Sequence, residues 1–426
     1  MSSSTLGAVC AATLAVLPLY AQAQQADSSS TRDAYVRAVL AANPAVESAR
    51  QGWRAALARA RQAGAFEDPM LEFSMAPLSI GSSHARFGYE IGIQQELPWF
   101  GKRGLERAVM EAEAAAASSD LEALRRELAM TALVLYDQYY VAFRSLAINA
   151  QHAELVRSMR EAAAAQLETG RGSARDVLAA EAELTQLERE AAMLEADRDV
   201  AAAQMNELLH RDPASPLAAP SLPPAREPAP ELQRAKQLQE NALAGRAEIE
   251  SMRRRARAEA AKAELAGSEY YPTFNLSTSY SSMWDMAPHR WMIGLGVSVP
   301  LPTENRAAAI DEAHAARAQY ESEIARMSDM AKTQVYVTLR RVHESERVLS
   351  LFETRLVPLA HQQVEAAQSG FVASQTPFSA VIEAERNLRG VELDQQRAQA
   401  EHSRRYAELE RALGHLPGIG AEEKAP

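Results

Sequence analysis

Short stretches of strict apolar–polar alternation are separated by very long stretches with an approximate 3,4 apolar spacing, and this arrangement occurs twice along the chain. Leu71, Phe73 and Met75 alternate with Glu72, Ser74 and Ala76, while Phe87, Tyr89, Ile91, Ile93 and Leu97 alternate with Gly88, Glu90, Gly92, Gln94 and Glu96. Further on, Phe274, Leu276, Thr278 and Tyr280 alternate with Asn275, Ser277 and Ser279, and Trp291, Ile293, Leu295, Val297 and Val299 with Met292, Gly294, Gly296 and Ser298. A period of two predicts strands with one apolar face, at about 69–98 and 271–300. Residues 104–168 and 306–369 are nearly free of Gly and Pro apart from Pro358. Each predicts a helix of about 100 Å at ~1.5 Å per residue, far longer than a bilayer of about 30 Å. Leu121, Leu124, Leu128, Leu135 and Tyr139 carry the apolar spacing, with Glu, Arg and Gln on the other faces, as helices packed in water require.

The recurrence is a duplication. Glu47-Ser48 and Glu250-Ser251, Gly64 and Gly267, and Pro69 and Pro272 repeat at one offset. Ala129/Thr131 and Ala331/Thr333, then Glu181-Ala182-Glu183 and Glu383-Ala384-Glu385, repeat at an offset one residue shorter. Each unit runs helix, two strands, very long helix, tight turn, second long helix. The predicted boundaries are 24–211 for the first repeat, with long helices at about 104–168 and 174–210. The second repeat covers 231–415, with long helices at about 306–369 and 377–413, and a tail covers 416–426. Between the repeats, 212–230 carries prolines at 213, 216, 220, 223, 224, 228 and 230, which neither a helix nor a central strand absorbs. The first repeat opens with a helix from Asp33 to Arg61, broken at Asn43-Pro44, and its counterpart is about Glu231 to Ala266.

Two environments suit the four strands: a soluble sandwich, with the apolar face as core, or an outer-membrane barrel, with that face in lipid and the polar face lining water. Strand length and aromatic placement favour the barrel. Trp99 and Phe100 end the second strand, Tyr270 and Tyr271 precede the third, and Trp291 opens the fourth, where interfacial rings belong. Four strands cannot close a barrel, since the smallest use about 8, so an oligomer must close it.

Composition narrows the function. A formal net charge of −11 opposes a nucleic-acid partner, and the run Arg253–Arg257 reads as a solvated helix face. Leu6 to Leu19 is apolar and uncharged and is followed by Ala21-Gln22-Ala23, which predicts a signal peptide over 1–23, though its start lacks Lys and Arg. Cys10 falls inside it, so the mature chain is expected to hold no thiol. Beyond it no apolar stretch of about 18 residues predicts a transmembrane helix. No GxSxG, HExxH or dinucleotide glycine pattern occurs, so neither an enzyme nor a cofactor is expected. His84 and His289 fall near the hairpin tips with Met283, Met286 and Met292 in the same region, and they read as exposed loop residues rather than a soft-metal site.

The segment Ile93-Gln94-Gln95-Glu96-Leu97-Pro98-Trp99-Phe100-Gly101-Lys102-Arg103-Gly104 closely resembles one in the TolC-like outer-membrane efflux proteins. More narrowly it resembles their heavy-metal (CzcC/CusC-type) branch, which serves resistance-nodulation-division pumps. The duplication, strand pairs, Pro-rich linker and long helices follow that family's order over the whole mature chain. The second-unit counterpart, Val299 to Arg306, keeps the proline and arginine but not the aromatics. The resemblance implies a mainly α fold with a transmembrane β part. In it, an α-barrel adjoins a β-barrel, and each protomer of a homotrimer gives 4 strands to a 12-stranded barrel. It further implies an outer-membrane location with a periplasmic helical extension, a periplasmic adaptor (membrane fusion protein) and an inner-membrane pump as partners, and export of heavy-metal cations. A duct for drugs or for type I secretion shares this architecture, and a periplasmic coiled-coil scaffold is the rival of another class.

Physically, Pro98 and Pro300 end strands, Trp99 and Phe100 anchor at the inner membrane interface, and Gly101 turns the chain into the long helix. Lys102 and Arg103 are expected to be solvated there, since no phosphate-cradling GxxxxGK[ST] spacing accompanies them. In the first helical turn, Ser173 is the predicted N-cap with Asp176 three residues on, a capping-box variant. In the second, Thr376 is the predicted cap and Pro377 the first helical residue. Plain hairpin turns explain these residues. The resemblance adds that Gly170, Arg171, Gly172, Ser173 and Arg175, with Gly370, Ser374, Thr376 and Pro377, form adaptor-docking tips around a periplasmic aperture. It also implies that acidic side chains just inside the second turn narrow that aperture: Glu383 sits at the matching position, Asp176 is a second candidate, and Ala380 replaces another acid.

Overall fold

The computed structural model describes residues 31–81, 83–84, 87–170, 172–221, 228–373 and 375–418. The expected signal peptide with Cys10, and Arg171 and Ser374 at the two tips, lie outside the described residues.

The first repeat contains α1 (Arg32–Ala42), α2 (Pro44–Ala63), β1 (Met70–Met75), β2 (Tyr89–Leu97), α3 (Lys102–Glu168) and α4 (Ala174–Leu208). The second contains α5 (Ala235–Gly245), α6 (Ala247–Ser268), β3 (Thr273–Ser281), β4 (Trp291–Ser298), α7 (Glu304–Leu351), α8 (Val357–Val372) and α9 (Phe378–Ala412). The expected break at Asn43-Pro44 is present: Asn43 caps α2 by accepting from the Ala45 amide and donates to the Leu208 carbonyl at the end of α4. Its counterpart, expected over about Glu231 to Ala266, breaks at Arg246, whose guanidinium donates to the Ala412 carbonyl at the end of α9. The same strut thus occurs in both repeats with different chemistry.

The ends of α4 and α9 also match. Both close with the chain turning left-handed, at His210 (φ 55°) and at Gly414 (φ 84°), with Arg211 N–H on Asn206 O and His415 N–H on Glu410 O. Gly414 is demanded twice, because a Cβ there would lie 2.7 Å from the Gly245 carbonyl carbon.

α7 and α8 form one path interrupted by a π turn at Phe352–Leu356. Pro358 has no N–H to offer the Thr354 carbonyl one turn back, and the wider turn absorbs that gap.

The helical core gathers α1, α2, α3, α4 and α9 around Tyr35, Val39, Leu133, Tyr136 and Met205. Leu121 and Tyr139 of the expected stripe are buried, whereas Leu124, Leu128 and Leu135 are half-buried, because α3 packs against α2, α4, α6 and α9 on several sides. A buried ion pair crosses this core, Arg32 with Asp137, at 2.6 and 2.9 Å through two guanidinium nitrogens. The basic run on α6 does not simply face water. Arg254 donates to the Ala115 carbonyl and Arg255 pairs with Asp120, so the run stitches α6 to α3.

The strands form one antiparallel sheet in the order β1-β2-β3-β4. Residues opposite one another share a face, and the register sorts them. Phe73 lies opposite Ile91, which lies opposite Tyr280, which lies opposite Trp291; Leu71, Ile93, Thr278 and Ile293 form the next row. The other face holds Glu72, Glu90, Gly92, Gln94, Glu96, Asn275, Ser277, Ser279 and Gly294.

Candidate functional site

The apolar face of the sheet is bare. Leu71 is 70% exposed, Ile293 83% and Leu295 69%, and among the described residues no second sheet covers them, so the sandwich reading fails. Rings bound this face at both ends. At the end nearer the helices, Trp99 stacks on Tyr271 (5.3 Å, 10°) and Phe274, with Phe100 against its edge. At the hairpin end, Phe87, Tyr89, Tyr280 and Trp291 form a second chain of contacts. From Tyr89 to Trp99 the strand climbs about 33 Å at ~3.3 Å per residue, and a tilt of about 40° leaves about 25 Å, the height of an apolar barrel band. The expected anchors therefore divide: Trp99, Phe100, Tyr270 and Tyr271 lie at the helix end of the sheet, and Trp291 at the far end.

Gly101 stands left-handed at φ 90° and caps α3 just past Pro98. Lys102 and Arg103 depart from the expected solvation. Lys102 pairs with Glu269 at 2.7 Å, and Arg103 donates to the Gly64 carbonyl while lying 3.5 Å above the Phe66 ring. Each clamps the turn to the segment entering a neighbouring strand. Arg306, at the corresponding turn of the second unit, instead donates locally to the Leu301 carbonyl.

The polar face of the sheet carries Glu72, Glu90 and Glu96, and no Lys or Arg stands on it at the paired positions. Water against this face meets a negative surface.

At the opposite end of the molecule the helices turn back. Gly170 (φ 72°) and Gly172 make the first turn, with Gly172 N–H on the Gln166 carbonyl, and a Cβ on Gly172 would meet the Leu167 amide nitrogen at 2.9 Å. Ser173 caps α4, but its hydroxyl accepts from Arg175 N–H and no reciprocal Asp176 bond completes a capping box among the described residues. In the second turn Pro377, not Thr376, is the cap; Thr376 instead donates to the Ala367 carbonyl and fills the space a Gly370 side chain would need. The backbone carbonyl of Gly370 accepts from Gln375 and Thr376.

Glu383 is exposed and Asp176 half-buried; no hydrogen bond or ion pair joins them among the described residues. The buried acids of this region are their neighbours. Glu183 on α4 lies 2.5 Å from Arg386 and 3.7 Å from Arg389 on α9, and Arg389 also reaches Glu190. Glu385 on α9 lies 3.6 Å from His152 on α3 and accepts from Gln368 on α8. His152 also lies 2.9 Å from Glu392, whose other oxygen is 3.6 Å from His361. Burial pushes the His152 imidazolium down, but hydrogen bonds and charge from Glu385 and Glu392 override it and raise the pKa to about 9. These acids escaped the sequence reading because a Glu in a helix reads as solvated. The available signal was position: Glu385 continues the buried spacing Phe378, Val381, Ile382, Leu388.

Among the described residues no group of three or more His, Cys, Asp or Glu is arranged to hold a metal ion, and no helix is long and apolar enough to cross a membrane. His289 packs edge-on against Trp284.

The fold has solved counterparts. CusC, described for its folding and transmembrane channel formation, superposes with a TM-score of 0.75 at 16% identity, over 90% of this chain and 92% of that one. The outer membrane protein VceC from Vibrio cholerae gives 0.73 at 17%, over 90% and 96%. The CmeC outer membrane channel of Campylobacter jejuni gives 0.75 at 13%, over 92% and 87%. At these identities the likeness concerns the fold. No curated protein sequence matches significantly. The model of the outer membrane efflux protein family matches twice, over 35–210 and 238–415, which coincide with the two repeats. This double match, spanning most of the chain, places it in the outer membrane efflux protein family.

Proposed function

We propose that three copies of this chain close one 12-stranded barrel continuous with one helical tunnel, forming the exit duct of a tripartite efflux system. The observation that carries this reading is the sheet: four strands with one apolar face in register, one acidic face, and unpaired edges at β1 and β4. Strands alternate in direction, so β4 of one copy meets β1 of the next antiparallel and removes both edges. Two copies would give 8 strands and a lumen filled by side chains, whereas three give a wider pore. Apolar stripes left bare on the helices support the same closure. Met193 and Val200 on α4, and Met330, Val337 and Leu351 on α7, recur at multiples of seven residues, the spacing of a helix-to-helix seam.

The glycine-bearing tips around Gly170, Gly172, Ser173, Arg175, Gly370, Thr376 and Pro377 are the adaptor-docking surface in this reading, with a proton-driven inner-membrane pump behind the adaptor. Glu383 and Asp176 ring the aperture. The Glu183–Arg386–Arg389 clasp holds α9 against α4, and its release loosens the hairpin that bears Glu383. The cargo is heavy-metal cations, supported by the Pro98-Trp99-Phe100-Gly101-Lys102-Arg103 string and by the acidic lumen face; drug efflux or type I secretion is the alternative within the same architecture.

Outer-membrane fractionation followed by mass determination in detergent tests the duct: a detergent-dependent particle of three chains is expected, and a soluble monomer overturns it. Metal sensitivity of a deletion strain tests the cargo, with sensitivity to detergents and dyes alone pointing to drugs.

A further inference from the structure

A cavity of about 710 Å³ opens on the outside of the molecule where the sheet meets α3. Its upper wall is Leu97, Phe274 and Leu295, which belong to the apolar face of the sheet, and Trp99 lines it beside them. Arg103 and Arg107 line its lower wall. The pocket is therefore apolar toward the sheet and cationic toward the helices, and it sits at the level of the Trp99–Tyr271 ring stack.

Arg103 is held in place by the Gly64 carbonyl and the Phe66 ring, and no carboxylate pairs with it among the described residues. Among the described residues Arg107 pairs only with Glu111, one turn along the same helix, and both side chains are more than half exposed, so that pair competes weakly. The first turn of α3 has no acidic side chain, and the helix dipole adds to the positive potential. One held guanidinium and one mobile guanidinium beside an apolar wall match a phosphate that carries an acyl chain.

We propose that this cavity binds the headgroup phosphate of an anionic phospholipid from the leaflet nearer the helices, with its acyl chain along Leu97, Phe274 and Leu295. The proposal rests on the barrel reading. A zwitterionic choline lipid is disfavoured because its ammonium would meet the guanidinium pair.

The full chain, reconstituted in phosphatidylcholine bilayers, is titrated with equal fractions of brominated phosphatidylglycerol or brominated phosphatidylcholine while tryptophan fluorescence is read. The expected result is that phosphatidylglycerol is preferred about fivefold in the quenching component lost on Trp99→Phe, near what one interfacial cation contributes. Arg107→Gln should lower the preference to about twofold, because Arg103 remains, while Arg103→Lys should retain most of it. Equal quenching by both lipids in the unsubstituted chain overturns the site. Loss of the preference with millimolar inorganic phosphate overturns the lipid assignment in favour of a soluble anion. Quenching of the tryptophans by neither lipid overturns the barrel reading and this site with it, which separates the two failures.

Discussion

Arg386 of α9 sets its guanidinium 2.5 Å from the carboxylate of Glu183 on α4, at matching levels of the two repeats, and Glu183 is 2% exposed. Its own repeat partner, Glu385, is also buried, but faces His152 instead. The duplicated Glu-Ala-Glu motif therefore supplies two different internal contacts, both near the exposed candidate Glu383.

Breaking the first contact should open the far end. Removing one member of a buried pair costs about 3–5 kcal/mol, and the half-exposed Arg386 places this one near the lower bound. Arg386→Ala with Arg389→Ala is expected to raise single-channel conductance severalfold in planar bilayers without changing the mass of the detergent particle. Glu383→Ala and Asp176→Ala should raise conductance less, or weaken block by divalent cations. Conductance unchanged in both sets would remove this region from the gate.

The second contact predicts a pH dependence with a definite sign. The His152 pKa is raised to about 9 in the folded chain from an ordinary value near 6.5, so its stabilisation is complete below about 6.5 and is lost as pH rises through 9. The groups facing it are Glu385 and Glu392, with His361 on the far oxygen of Glu392. Thermal melting between pH 6 and 10 should show the melting temperature of the natural chain falling across this window more steeply than that of His152→Gln. Parallel curves would show that His152 gains no proton on folding.

His210 adopts a left-handed conformation that costs an L-residue about 1–2 kcal/mol, where the second repeat uses Gly414. His210→Gly is expected to stabilise the chain by about 1 kcal/mol in denaturant titration. Gly414→Ala should destabilise it by more than that, since its Cβ would overlap the Gly245 backbone. A neutral Gly414→Ala would contradict the close approach.

The acidic sheet face predicts ion selectivity. Reversal potentials across a salt gradient should report preference for cations, and Glu72→Gln with Glu90→Gln should reduce it. Unaltered selectivity would locate the filter elsewhere.

The strands were legible because alternation and register express one fact, that a face of the sheet must meet a single solvent. Long helices were legible because little in 104–168 interrupts them, and Pro44 announced the break before α2. The break at Arg246 has no proline to announce it and depends on a carbonyl at the end of α9, 166 residues away. The Arg103 clamp is hidden for the same reason: its acceptor is a backbone carbonyl 39 residues earlier, which side-chain chemistry does not advertise. A hydroxyl before a helix usually caps it, whereas here the close approach of Gly370 gives the Thr376 hydroxyl the Ala367 carbonyl. Distant polar partners, rather than elements, escaped the sequence.

The π turn at Phe352–Leu356 interrupts one hairpin of each chain, while α3 in the other runs unbroken from Lys102 to Glu168. In a ring of three chains, rigid staves would therefore alternate with jointed ones. Such a ring would bend only at alternate leaves, and the stiff ones would keep the wall intact.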